Sequence, residues 1–81
     1  MANDELYVDD WGYLIRRRYD EWGLPRCSVH PYGVVNMGGC WDAQAWNDEL
    51  AQYITLGRCD TRAEAVDFLL TTYRLREGGN G

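Results

Sequence analysis

The chain has no lysine, one histidine, one phenylalanine and two prolines, and its apolar runs are only a few residues long. A helix that crosses a bilayer needs about 20 predominantly apolar residues, so no membrane span is expected. Met1-Ala2-Asn3-Asp4-Glu5 is acidic and no apolar segment follows it, so no secretory signal is expected either. Cysteine is sparse and odd in number, with Cys27, Cys40 and Cys59 forming no dense framework. They read as reduced thiols in a cytoplasm. The catalytic inventory is equally thin. There is no nucleophile elbow, phosphate loop or metalloprotease helix motif, and His30 is the single candidate base, beside Cys27 and Cys40 as candidate nucleophiles. The expectation is a protein that is not an enzyme and needs no cofactor.

What the sequence does contain is enough for one folded domain. It has 81 residues, of which 46% are hydrophobic, including 4 Trp and 6 Tyr. Large aromatic side chains can supply much of a small core, and dimerisation is the usual way for so short a chain to bury more. The net charge is -5, and all 8 basic residues are arginines. Overall acidity opposes tight nonspecific binding to nucleic acid, which depends on neutralising phosphates.

An internal repeat organises the first half. Asp9-Asp10-Trp11-Gly12, Asp20-Glu21-Trp22-Gly23 and His30-Pro31-Tyr32-Gly33 each end in glycine, and their glycines lie 11 and 10 residues apart. Turn formers come first, an aromatic third, and a glycine able to take φ > 0 last, which predicts hairpin connections. The segments between them, 6–8, 13–19, 24–29 and 34–37, have strand length. In the second, Tyr13, Ile15, Arg17 and Tyr19 alternate with Leu14, Arg16 and Arg18. A helix over 11–22 is the rival reading.

After Gly38-Gly39 the period changes. Trp46, Leu50, Tyr53 and Ile54 fall at helical spacing, with Asp42 as the expected cap and Gly57 as the stop. Thr61-Arg62-Ala63-Glu64 fits a capping box that opens a second helix, with Val66, Leu69, Leu70 and Tyr73 on its apolar face. The expected fold is therefore α+β: an antiparallel three- or four-stranded β-meander over 1–39, then an antiparallel two-helix hairpin over 40–76. A flexible tail follows over 77–81. Trp46, Leu50, Ile54, Val66, Leu69 and Leu70 should form the helical half of the core.

The turn Leu56-Gly57-Arg58-Cys59-Asp60-Thr61-Arg62-Ala63-Glu64-Ala65-Val66 sits between these two helices. With it, the stretch 34–74 resembles a ribbon-helix-helix domain. The resemblance implies an intertwined dimer whose paired strands enter the DNA major groove. Tyr32, Val34 and Asn36 would share one face of the ribbon, and Thr61 would sit at a phosphate. The candidate ribbon carries no arginine, so this transcriptional-regulator reading stands second.

Three constellations remain. Cys27-x-x-His30 with Cys40 and Cys59 supplies four potential zinc ligands, although no second close-spaced pair exists; the alternative is small, half-buried thiols and no metal. Asp4, Glu5, Asp9, Asp10, Asp20 and Glu21 form either an anionic rim or the turn and edge acids of a soluble sheet. Arg16, Arg17, Arg18 and Arg26, near Trp11, Trp22 and Tyr32, are the expected partner contacts, because binding hot spots favour Arg, Trp and Tyr. Nucleic-acid stacking and a solvated sheet face are the competing readings. The leading expectation is a non-catalytic modulator or inhibitor that binds a protein, with DNA as the alternative partner and homodimerisation open. In size, acidity and lack of catalytic motifs the chain resembles in type the small inhibitors of phages and mobile elements, including anti-CRISPR and other host-takeover proteins.

Overall fold

The computed structural model describes residues 4–77. Its elements are β1 (Asp4–Val8), β2 (Tyr13–Tyr19), β3 (Pro25–Asn36), β4 (Trp41–Asn47), β5 (Gln52–Cys59) and α1 (Arg62–Glu77). The strands form one antiparallel sheet in sequence order, β1-β2-β3-β4-β5. The α+β class and the meander are as expected, but the meander has five strands and one helix follows it. The expected two-helix hairpin is absent, and the rival helix over 11–22 is strand β2.

The error over the segment after Gly39 has a definite cause. Trp46 lies in β4, Leu50 in the turn, and Tyr53 and Ile54 in β5, so a hairpin reproduced helical spacing by chance. The true period there is two. Trp41, Ala43 and Ala45 face α1, whereas Asp42, Gln44 and Trp46 face the other way. Trp46 and Leu50, placed in the core from spacing, are 42% and 59% exposed. Ile54 is half-buried on β5. Asp42 caps nothing. It is 1% exposed and accepts bonds from Arg58 Nε at 2.7 Å, Arg58 Nη2 at 3.2 Å and Thr55 Oγ1 at 3.2 Å. Gly57 ends no helix either. It lies in β5, where a Cβ would come within 2.6 Å of the Phe68 ring. With no first helix, the ribbon-helix-helix architecture is excluded.

The third glycine turn was also misplaced. β3 runs through Gly33, which is buried inside the strand, and the chain reverses instead at Gly38, with φ at +87°. Gly12 and Gly23 do close hairpins, at φ of +93° and +77°. The capping box of α1 forms as expected: Glu64 N donates to Thr61 Oγ1, and Thr61 N donates back to Glu64 Oε1, both at 3.2 Å. Glu77 closes α1, and the rest of the expected tail, 78–81, lies outside the described residues.

The core lies between α1 and one sheet face. Leu14, Tyr32, Val34, Ala43, Ala45, Ala65, Leu69 and Tyr73 are buried there, with Val66 and Leu70 packed against them. Alanines at the centre of β4 let the helix approach closely. α1 covers parts of β3, β4 and β5 but leaves the Tyr19–Pro25 end of the sheet uncovered. That end, where β2 and β3 continue together, is the arm on which the candidate site is built.

Candidate binding site on the β2–β3 arm

The arm follows from unequal strand lengths. β3 has 12 residues, but β4 pairs only with its last part, from Tyr32 to Asn36. From Pro25 to His30, β3 pairs with β2 alone among the described residues. Every residue from Glu21 to Val29 is exposed.

Antiparallel pairing decides which side chains meet. Arg16 lies opposite Ser28, Arg18 opposite Arg26, and Leu14 opposite His30. Directly opposed residues point to the same face, so Arg16, Arg18, Arg26, Ser28 and His30 share the face that carries α1. With Cys27 they line a shallow cleft of about 210 Å³. Arg26 Nε donates to Asp20 Oδ2 at 3.2 Å while its side chain stays 71% exposed. Arg16 and Arg18 are each held by an interaction within the chain. The His30 ring meets Tyr73 edge-on at 5.3 Å between centroids, which ties the inner end of the cleft to α1. Asp20 is held below the usual carboxylate range, chiefly by the Leu24 amide, and also by the Trp22 amide and Arg26. A guanidinium offers five N–H donors and no acceptor, so the three give this cleft a cationic, donor-rich lining, with Ser28 Oγ and His30 Nε2 3.5 Å apart beside them.

The remaining expected contacts are dispersed. Arg17 points to the opposite face, 3.2 Å from Glu5 and 5.4 Å from the centre of the Tyr7 ring. The Glu5 hydrogen bond holds its guanidinium more firmly protonated still. Trp11 and Trp22 are 84% and 74% exposed but stand at opposite ends of β2. Tyr32 is 5% exposed and belongs to the core. It packs edge-on to Tyr73, and its hydroxyl donates to Glu77 Oε2 at 2.9 Å. Burial first, then Glu77, pushes the Tyr32 phenol above its ordinary value.

Ser28 and His30 were not among the expected contacts. The signal was there: continuing the alternation from Arg26 through 28 and 30 puts them on the Arg16 face, but the supposed turn at Pro31 interrupted the reading. The DNA-contact residues are occupied by fold-building bonds. Asn36 Oδ1 accepts from the Gly38 amide at 2.8 Å, and Thr61 serves the capping box. Asn36 also lines a second cleft, of about 270 Å³, with Trp11, Trp41 and Arg62. The four suggested zinc ligands do not converge. Cys27 and His30 take opposite faces of β3 by alternation, and Cys40 and Cys59 lie at the far end of the sheet. Among the described residues no group of three His, Cys, Asp or Glu is placed to hold a metal ion. No helix among them is long and apolar enough to cross a membrane. No protein-family model, curated protein or solved structure matches the chain.

Proposed function

We propose that this protein is a non-catalytic binding module that modulates a partner protein through the β2–β3 arm. One observation carries the reading: three arginines converge in a cleft on an arm that stands clear of the core of an acidic chain. Trp22 and Leu24, 74% and 56% exposed at the tip, add apolar anchors next to the charges. Exposed Trp and Arg on one arm match the residue types that protein interface hot spots favour. A nucleic-acid partner is less well served. The net charge of -5 repels a polyanion, and Asp20 and Glu21 stand at the tip itself. On this reading the protein acts in the cytoplasm, where its thiols stay reduced, as a small inhibitor of the type phages and mobile elements encode.

The test is capture from the source cells with the wild-type chain and with an Arg16/Arg18/Arg26→Ala variant, its fold checked by circular dichroism. Loss of a specific protein in the variant supports the reading. Capture that survives the triple substitution overturns it, as does salt-sensitive binding to random-sequence DNA in place of any protein.

A further inference from the structure

The arm has a property besides its charge: β3 carries an open edge inside the molecule. From Pro25 to Val29 no described strand pairs with its far side, because the β3–β4 ladder ends at Tyr32 with Ala45 and β4 itself ends at Asn47. The phase of the β2–β3 ladder fixes which groups face outward. Asp20 N donates to Leu24 O at 3.0 Å, so that pair is hydrogen-bonded. Antiparallel pairs alternate between bonded and non-bonded. Arg18 with Arg26, and Arg16 with Ser28, are then bonded pairs, and Arg17 with Cys27, and Ile15 with Val29, are not. The backbone N–H and C=O of Cys27 and Val29 therefore point away from β2. Pro25 occupies the same outward phase and has no N–H to leave unpaired.

We propose that this edge accepts an extended, acidic segment of the partner protein as an added strand. The inference rests on the reading of the arm as a protein-binding element and says how it binds. Main-chain bonds to Cys27 and Val29 would supply the pairing, as in other strand-addition complexes. Side chains of the added strand would alternate between faces. Those on the cleft side would flank Arg26, Ser28 and His30, with Arg16 and Arg18 one strand further in, and Arg26, its side chain 71% exposed, selects carboxylates. Those on the other side would meet Val29, 66% exposed, and the exposed Cys27, which selects small apolar residues. Charge complementarity also decides against a second copy of this chain. Pairing two arms antiparallel about Ser28 brings both arginine clefts onto one face, where like charges repel.

The experiment titrates the full, ¹⁵N-labelled chain with a capped six-residue peptide of alternating Glu and Val, and with its Gln/Val counterpart. The Glu peptide should slow amide exchange at Cys27 and Val29, and the Gln peptide should bind at least about tenfold more weakly. Val29→Pro removes an outward N–H and no bond to β2, so it should abolish binding while the rest of the amide spectrum stays unchanged. Several results would overturn strand addition: no binding, equal binding of the Gln peptide, protection on the β1 or β5 edge instead, or a dimer that Val29→Pro disperses. Displacement of the peptide by a random-sequence oligonucleotide would do the same. Capture lost in the arginine variant but retained in Val29→Pro would leave the binding arm standing and remove strand addition. Peptide binding without any captured protein would do the reverse.

Discussion

Two turns of this sheet share one pattern, an Asp, a second acid, a Trp and a Gly, and differ in what surrounds them. In Asp9–Tyr13, the Asp9 Oδ1 accepts from the amides of Trp11 and Tyr13 at 3.0 and 2.9 Å. In Asp20–Leu24, the Asp20 Oδ1 accepts from those of Trp22 and Leu24, both at 2.9 Å. Gly12 N and Gly23 N donate to Asp9 O and Asp20 O at the same 3.0 Å. The first turn is then docked onto the sheet. Gly12 O accepts from Val34 N at 2.8 Å, and Arg62 at the start of α1 donates to Asp9 O at 2.6 Å. Nothing approaches Gly23 within 4 Å of where its Cβ would stand. Local side-chain chemistry thus sets the shape of both turns, and packing decides which is seated on the sheet and which stands clear of it.

The sharpest test of that division compares a residue under the helix with one on the arm. Leu69 is 0% exposed and central to the core, so Leu69→Ala should lower unfolding free energy by about 2–5 kcal/mol. Trp22→Ala should change it by less than about 0.5 kcal/mol despite the larger side chain removed. Urea unfolding of both variants measures this, and comparable losses would mean that the arm is packed after all.

The two glycines give a smaller, better-matched contrast. Each has positive φ, so Ala at either position costs about 1 kcal/mol in backbone strain. At Gly12 a Cβ would also strike the carbonyl oxygen of Val34, a backbone atom that cannot swing aside. Gly12→Ala should therefore cost at least about twice as much as Gly23→Ala. Equal midpoints for the two variants would show that the first turn is not seated as described.

These turns also show what a reader of the sequence can and cannot obtain. Asp-x-Trp-Gly was legible because its bonds are made within five residues. The split of Arg16 and Arg18 from Arg17 was legible too, since alternation is local. His30-Pro31-Tyr32-Gly33 looked like a third turn, yet its Pro and Gly serve a register shift, where β2 passes from Gly33 to His30 between Tyr13 and Leu14. That shift depends on the docked Gly12 turn, which is tertiary information. The hairpin after Gly39 was lost for a similar reason. Only its ladder, which pairs Trp41 with Cys59 and Asp42 with Arg58, separates it from a helix, and those partners are far apart in sequence. The arginine cleft was half visible: its residues could be named, but its inner wall at Ser28 and His30 needed the unbroken length of β3.

Acid should affect the docked half through Asp42. The Arg58 hydrogen bonds hold its carboxyl below the usual range, against the opposing effect of burial. A carboxyl with a lowered folded value contributes stability that is complete above its unfolded value near pH 4 and is lost as pH falls through the folded value. The wild-type urea midpoint should therefore drop below about pH 4. In Arg58→Ala the buried carboxylate loses its main partner, so the variant should be weakest at neutral pH and should lose less, or recover, over the same acid window. Identical acid limbs would rule out Asp42 as the responsible group.

The smallest effect should be confined to the free turn. Asp20→Ala removes the acceptor for the Trp22 and Leu24 amides and the partner of Arg26 Nε, but touches nothing under α1. Because that turn contributes shape to the arm and no packing to the core, thermal unfolding should shift by less than about 2 °C. The local consequence is different in kind. The Trp22 and Leu24 amides lose their acceptor, so their hydrogen exchange should accelerate while amides in β4 keep their rates. Asp9→Ala offers the matched control. The bonds from Val34 and Arg62 go to main-chain oxygens that this substitution keeps, so the docked turn should retain its place and its slow exchange at Gly12. If Asp20→Ala instead speeds exchange across β3 and β4 together, the arm is coupled to the core, and the two turns differ less than their surroundings indicate.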